Sequence, residues 1–119
     1  MTVSLDEKNI NQGYLLGRLF AVLEKVQQEA NPDLNATIRD RYFGAASATP
    51  RAVFPQLLRL AQHHVAKATY GGVSDKLIET ILSKLDSFPT HLSLEDQGLF
   101  MLGYYHQRQA FYQKAETKE

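Results

Sequence analysis

Apolar residues in this chain recur three and four positions apart, and no stretch alternates with a period of two. That rhythm draws a stripe along a helix and would scatter over both faces of a strand, so it confines the fold to helices. Breaking and capping residues cut the pattern into five segments. The first spans about Gln12 to Ala30, with Leu15, Leu16, Leu19, Phe20, Leu23 and Val26 at helical spacing. Asn9 or Asn11 can cap it, and Asn31-Pro32 ends it, because a residue before proline is pushed out of the helical region. The second covers about Leu34 to Ala46, with Ile38, Tyr42 and Phe43 on one side.

The third segment has the sharpest pattern. Thr49 offers an N-cap, and Pro50 stands at the first helical position, where its missing N–H costs nothing. Val53, Phe54, Leu57, Leu58, Leu60, Ala61 and Val65 fill one half of the wheel; Arg51, Gln56, Arg59, Gln62, His63 and Lys67 fill the other. Gly71-Gly72 predicts a turn or loop. Ser74 then opens a fourth helix with Leu77, Ile78, Ile81, Leu82 and Leu85, stopping before Pro89. Ser93 with Asp96 reads as a capping box for a fifth, Leu94 to about Ala115, which carries Leu99, Phe100, Leu102, Tyr105 and Phe111. The expected fold is all-α, a single-domain bundle of about five helices over residues 1–119, with 1–10 and 116–119 flexible.

Absences narrow the chemistry. With no cysteine there are no disulfides and no thiolate metal ligands, and the head MTVSLDEKN has neither the basic start nor the apolar run of a secretory signal. No apolar run approaches the roughly 20 residues of a membrane span, so a cytoplasmic protein without membrane contact is expected. His63 and His64 are adjacent, which sets them about 100° apart on a helix and unsuited to one ion. His64 falls on the apolar half, as a core histidine would. His91 and His106 lie in separate segments without metal-ligand spacing. Ser47 and Thr49 have no nucleophile elbow or phosphate loop around them. Glu95-Asp96 suits the dipole of a helix start. Neither catalysis nor a metal or other cofactor is expected.

Charge distribution is more informative than its total. The 13 basic residues equal the 13 acidic ones, which argues against a wholesale polyanion binder. Between residues 35 and 74, however, Arg39, Arg41, Arg51, Arg59 and Lys67 face Asp40 alone. Guanidinium and ammonium groups suit phosphate oxygens, so Arg39, Arg41, Arg51, Arg59, His63 and Lys67 are the candidate nucleic-acid-binding residues. A plain solvated helix face would give the same spacing. Gly13 and Gly17 lie one turn apart, and Gly98 and Gly103 interrupt the fifth helix at about 1 kcal/mol each against alanine, which close helix packing would explain. Tyr104, Tyr105, Phe111 and Tyr112 suit a core or a protein interface better than base stacking.

The segments YLLGRLFAVLEKVQ (Tyr14–Gln27), NATIRDRYFGAASATPRAVFPQLLRLAQHH (Asn35–His64) and LSLEDQGLFMLGYYHQRQAFY (Leu92–Tyr112) resemble the C-terminal helical region of the large subunit of the type I-C CRISPR Cascade complex. RDRYFGAASATP is the most specific block. The main domain of the large subunit is missing, so the chain looks like the separate small subunit, made in this family by internal translation of the large-subunit gene. The resemblance implies a helical bundle beside the backbone and large subunits, near CRISPR RNA and target and non-target DNA, with further copies of itself as partners. It implies support of the R-loop through the displaced strand, without nuclease activity. The alternative is an interaction module that buttresses such a complex without touching nucleic acid.

Overall fold

The first helical segment becomes the centre of the molecule. In the computed structural model, which describes residues 5–33, 36–65 and 71–117 and their side chains apart from those of 64–65, 71–73 and 113–117, five helices form. Helix α1 (Gln12–Ala30) packs against each of α2 (Ile38–Ala48), α3 (Pro50–Val65), α4 (Gly71–Leu82) and α5 (Leu94–Thr117), most extensively against α5. A helix surrounded in this way must be buried all round, and every residue from Gly13 to Glu24 is buried. Phe20 sits at the middle, its ring meeting those of Phe43, Phe54, Phe100 and Tyr104 at centroid distances of 5.6, 6.4, 5.9 and 5.8 Å. Among the described residues there is no strand. The all-α single-domain reading is what the structure shows.

Caps and turns fix the boundaries. The Asn11 side-chain oxygen accepts from the Gly13 and Tyr14 amides at 2.8 and 3.2 Å, starting α1 at Gln12. Helix α2 starts at Ile38 rather than Leu34, because Thr37 and Asp40 make a reciprocal capping box. Thr49 does not cap α3. Its hydroxyl donates back to the Ala45 carbonyl at 3.0 Å and closes α2, while the Arg51 amide finds the Pro89 carbonyl at 3.1 Å. Gly71-Gly72 is no turn; it opens α4. That helix ends at Leu82, and the connection to α5 folds across the α2–α3 corner. There the Leu92 amide bonds Ala48 and Phe88 stacks on Phe54 at 5.5 Å. Within the head, the Asp6 amide donates to the Tyr14 hydroxyl at 3.0 Å and Lys84 donates to the Glu7 carbonyl at 3.0 Å.

Glycine explains how α1 and α5 come so close. A Cβ on Gly17 would run into the Phe100 carbonyl, one on Gly13 into the Asp96 carbonyl, and one on Gly103 into the Tyr14 carbonyl. The two backbones are in contact, and no other residue leaves the space. Gly98 departs from this pattern: it is exposed, and an added Cβ would meet nothing within 4 Å.

The contrast is measurable by urea denaturation. Gly17→Ala has to push the Phe100 backbone aside and should cost about 1–3 kcal/mol or more, as overpacking does. Gly98→Ala should stabilise by about 0.5–1 kcal/mol through helix propensity alone. Equal effects at the two positions would contradict the backbone contact.

Candidate nucleic-acid interface

Helix α3 divides as its periodicity predicts. Val53, Phe54, Leu57 and Ala61 are buried, whereas Arg51, Gln56, Arg59, Gln62 and His63 are exposed. Leu60, expected on the inner half, is 40% exposed, because it stands at the edge between the halves. Arg41 is exposed on α2, which packs against α3. Lys67 lies outside the described residues, as do the side chains of His64 and Val65.

The arginines are not equivalent. Arg39 is half-buried, with its guanidinium over the rings of Phe43, Tyr104 and Tyr105 at 5.9, 5.5 and 5.4 Å and donating to the Tyr105 hydroxyl. Such cation–π contacts are worth about 0.5–2 kcal/mol and hold the group inside the protein. Arg51 donates through Nε to the Phe88 carbonyl at 3.2 Å, which steadies its stem and leaves the terminal nitrogens without a partner among the described residues. The side chains of Arg41 and Arg59 make no hydrogen bond among the described residues. Lys25–Glu29, at 3.2 Å, is the ion pair found among the described residues, where no carboxylate pairs with Arg41, Arg51 or Arg59. Three outward guanidiniums therefore keep their charge available to a polyanion.

Polar chemistry in the interior is structural. Glu24 is buried and accepts from the Thr37 hydroxyl at 2.6 Å and the Tyr104 hydroxyl at 2.5 Å, joining α1, the start of α2, and α5. Burial first, and the bond to Glu24 second, raise the Tyr104 pKa well above the ordinary tyrosine value. Arg18 is buried, and loss of solvent lowers its pKa. Its Nε donates to Gln107 at 3.0 Å, while one terminal nitrogen has no partner among the described residues. Tyr14 meets His106 Nδ1 at 2.7 Å. The three pairs that join α1 to α5 stand 80 to 92 residues apart, so no local spacing announces them. Among the described residues no group of three or more His, Asp or Glu side chains could hold a metal ion. No described helix is long and apolar enough to cross a membrane. Two grooves, of about 190 and 260 Å³, fall below the roughly 300–1,000 Å³ typical of small-molecule sites.

The family model of the CRISPR-associated protein Cas_Csd1 matches residues 1–112. No curated protein matches the chain.

Tyr104→Phe removes one of the two donors to buried Glu24 and should cost about 1–3 kcal/mol at neutral pH. The Tyr104 pKa is higher folded than unfolded, so its hydroxyl contributes fully below about pH 10 and progressively less above. The gap between wild type and variant should narrow in urea titrations from neutral pH to pH 11. A constant gap would contradict this assignment.

Proposed function

The chain belongs to the CRISPR-associated Cas_Csd1 family, and from that membership we propose that it acts as the non-catalytic small subunit of a type I-C Cascade complex. In this reading it holds nucleic-acid backbone, foremost the displaced non-target strand, and so stabilises the R-loop. The observation that carries the proposal is the outward set Arg41, Arg51 and Arg59, in no ion pair among the described residues, on the only stretch of the sequence with a marked basic excess. His63 is exposed on the same helix, and Arg39 braces the α2 end of the face through the aromatic cage. R-loop formation exchanges one duplex for another of similar stability, so a few backbone contacts decide its direction. Arginine forks supply such contacts without reading sequence. The partners are the backbone and large subunits, CRISPR RNA with target DNA, and further copies of this chain. A reading as pure protein buttress draws on the apolar outer side of α5, where Leu94, Met101 and Leu102 are exposed.

Target-DNA capture by the reconstituted complex, with and without this chain and at two salt concentrations, separates the two. Omission should weaken capture, and Arg51→Glu with Arg59→Glu should reproduce the defect while circular dichroism stays helical. Losing two phosphate contacts to single-stranded DNA should flatten the log–log salt slope by about 1.4. Unchanged capture by the charge-reversed variant would leave the buttress as the function.

A further inference from the structure

Between Tyr105 and Tyr112, helix α5 pairs aromatic rings with cations three times. The Arg39 guanidinium lies over Tyr105 at 5.4 Å, that of Arg108 over Tyr112 at 5.6 Å, and the Lys25 ammonium of α1 over Phe111 at 5.1 Å. Sequence alone favours core or protein contact for these rings, yet Tyr105 and Tyr112 are 40 and 54% exposed while Tyr104 is fully buried. The Lys25 and Arg108 pairs line a groove of about 260 Å³ between α1 and α5, together with buried Ala21 and exposed Gln28. Rings interleaved with cations are what a nucleic-acid single strand meets on proteins that hold it, because every base has a π-face and every phosphate a charge. A groove below the size of a drug pocket has room for one planar heterocycle.

The charged groups of the groove are not equally available. Glu24, also in its lining, accepts from the Thr37 and Tyr104 hydroxyls through its two oxygens, and Lys25 is paired with Glu29 at 3.2 Å. Arg108 gives only its Nε, to the Tyr112 hydroxyl at 3.3 Å, and its terminal nitrogens make no hydrogen bond among the described residues. Tyr112 thus offers a half-exposed ring, and the open end of Arg108 beside it offers donors to the phosphate of the same nucleotide. The groove also adjoins the α2 end of the basic region. Its Glu24 bonds Thr37, the N-cap of α2, and Arg39 and Arg108 both act electrostatically on Tyr104. We propose that the α1–α5 groove accepts one unstacked base of a nucleic-acid single strand, with the base against Tyr112 and Phe111 and its phosphate on Arg108. The inference rests on the nucleic-acid reading above and adds a second kind of contact to it. Outward arginines hold phosphates of a duplex and of a single strand alike, whereas a base stacked inside a duplex is out of reach of the groove. The groove therefore gives the chain its preference for a displaced strand, without reading which base is present.

Fluorescence anisotropy of the full chain with two labelled oligomers of equal length tests this. One is oligothymidylate; the other is its abasic counterpart, with the same phosphates and no bases. The wild-type chain should bind oligothymidylate roughly 5- to 150-fold more tightly, the range of one base–aromatic stack. Tyr112→Ala, at an exposed position, should bring the two affinities together with helicity unchanged by circular dichroism, and Tyr112→Phe should keep them apart. Arg51→Glu with Arg59→Glu should weaken both oligomers and leave their ratio as it was. Equal wild-type affinities, or a ratio that survives Tyr112→Ala, would overturn the groove and leave the phosphate-binding face standing. A ratio that persists while the charge reversal changes neither affinity would uphold the groove and remove the α3 face. Binding of neither oligomer would overturn both. Photocrosslinking with an oligomer carrying 5-iododeoxyuridine gives a second readout that does not depend on a variant. The adduct should map to Tyr112 or Phe111, and adducts confined to other residues would overturn the proposal.

Discussion

Contact between the backbones of α1 and α5 is the constraint on which the rest of this structure depends. Gly13 and Gly17 on one helix and Gly103 on the other remove the side chains that would hold the axes apart. Once the helices touch, groups distant in sequence are brought within hydrogen-bonding range along the same line: Tyr14 with His106, Arg18 with Gln107, Glu24 with Tyr104. Each pair would be unfavourable at looser spacing, because a buried polar group without a partner loses its hydration and gains nothing in return. Arg18 illustrates how narrow the margin is. Among the described residues its side chain has one hydrogen bond, to a neutral amide, and one terminal nitrogen without a partner, with the charges of Glu7 and Asp6 partly offsetting its desolvation.

Fixing α5 against α1 also fixes what α5 turns outward. The helix must show Phe100 and Tyr104 to the core, and the glycines leave little freedom of rotation about its axis. The outer side is consequently rigid and held in register along its length. Rigidity matters at an interface, since side chains already ordered lose less entropy when a partner arrives. Tyr105 links this side to α2, because its hydroxyl accepts from Arg39 and its ring lies under the same guanidinium. The α2 end of the basic region and the outer side of α5 thus share one well-packed corner.

What the sequence disclosed depended on the range of the interactions involved. Helix α1 was legible to its last residue, since Asn11 caps it through neighbouring amides and Asn31-Pro32 ends it. The two halves of α3 were legible because a 3.6-residue period is a local property. Thr49 is less legible: a capping residue can face either way along the chain, and the Pro89 carbonyl, supplied from the 83–93 connection, takes the Arg51 amide while the Thr49 hydroxyl closes α2. Gly71-Gly72 reads as a turn by propensity, yet tertiary packing carries α4 through it. For the candidate site, the outward positions of Arg51 and Arg59 follow from the wheel, whereas that of Arg41 on α2 is seen only in the structure. The different circumstance of Arg39 is likewise seen only there, because its cage draws on Tyr104 and Tyr105 some 66 residues away. Gly98 shared a signature with Gly103, and only the fold tells a glycine at a contact from one in open space.

The distribution of charge fits a molecule that meets two kinds of partner on separate surfaces. Zero net charge withholds any long-range pull toward nucleic acid, so a freely diffusing copy gains little from the field of a distant polyanion. The uncompensated arginines of α2 and α3 act only within about a Debye length of 8 Å, once something else has brought them close. Protein contacts would do that, and the outer side of α5 is where the chain keeps the apolar area to make them. On the proposed function, placement by a protein surface followed by retention through a few arginines would confine binding to an assembled complex. Weak phosphate contacts then become effective through local concentration, because each contact after the first is made within the same assembly. A neutral chain with one basic face is therefore better matched to that division of labour than a strongly cationic one, whose own charge would draw it to any nucleic acid present.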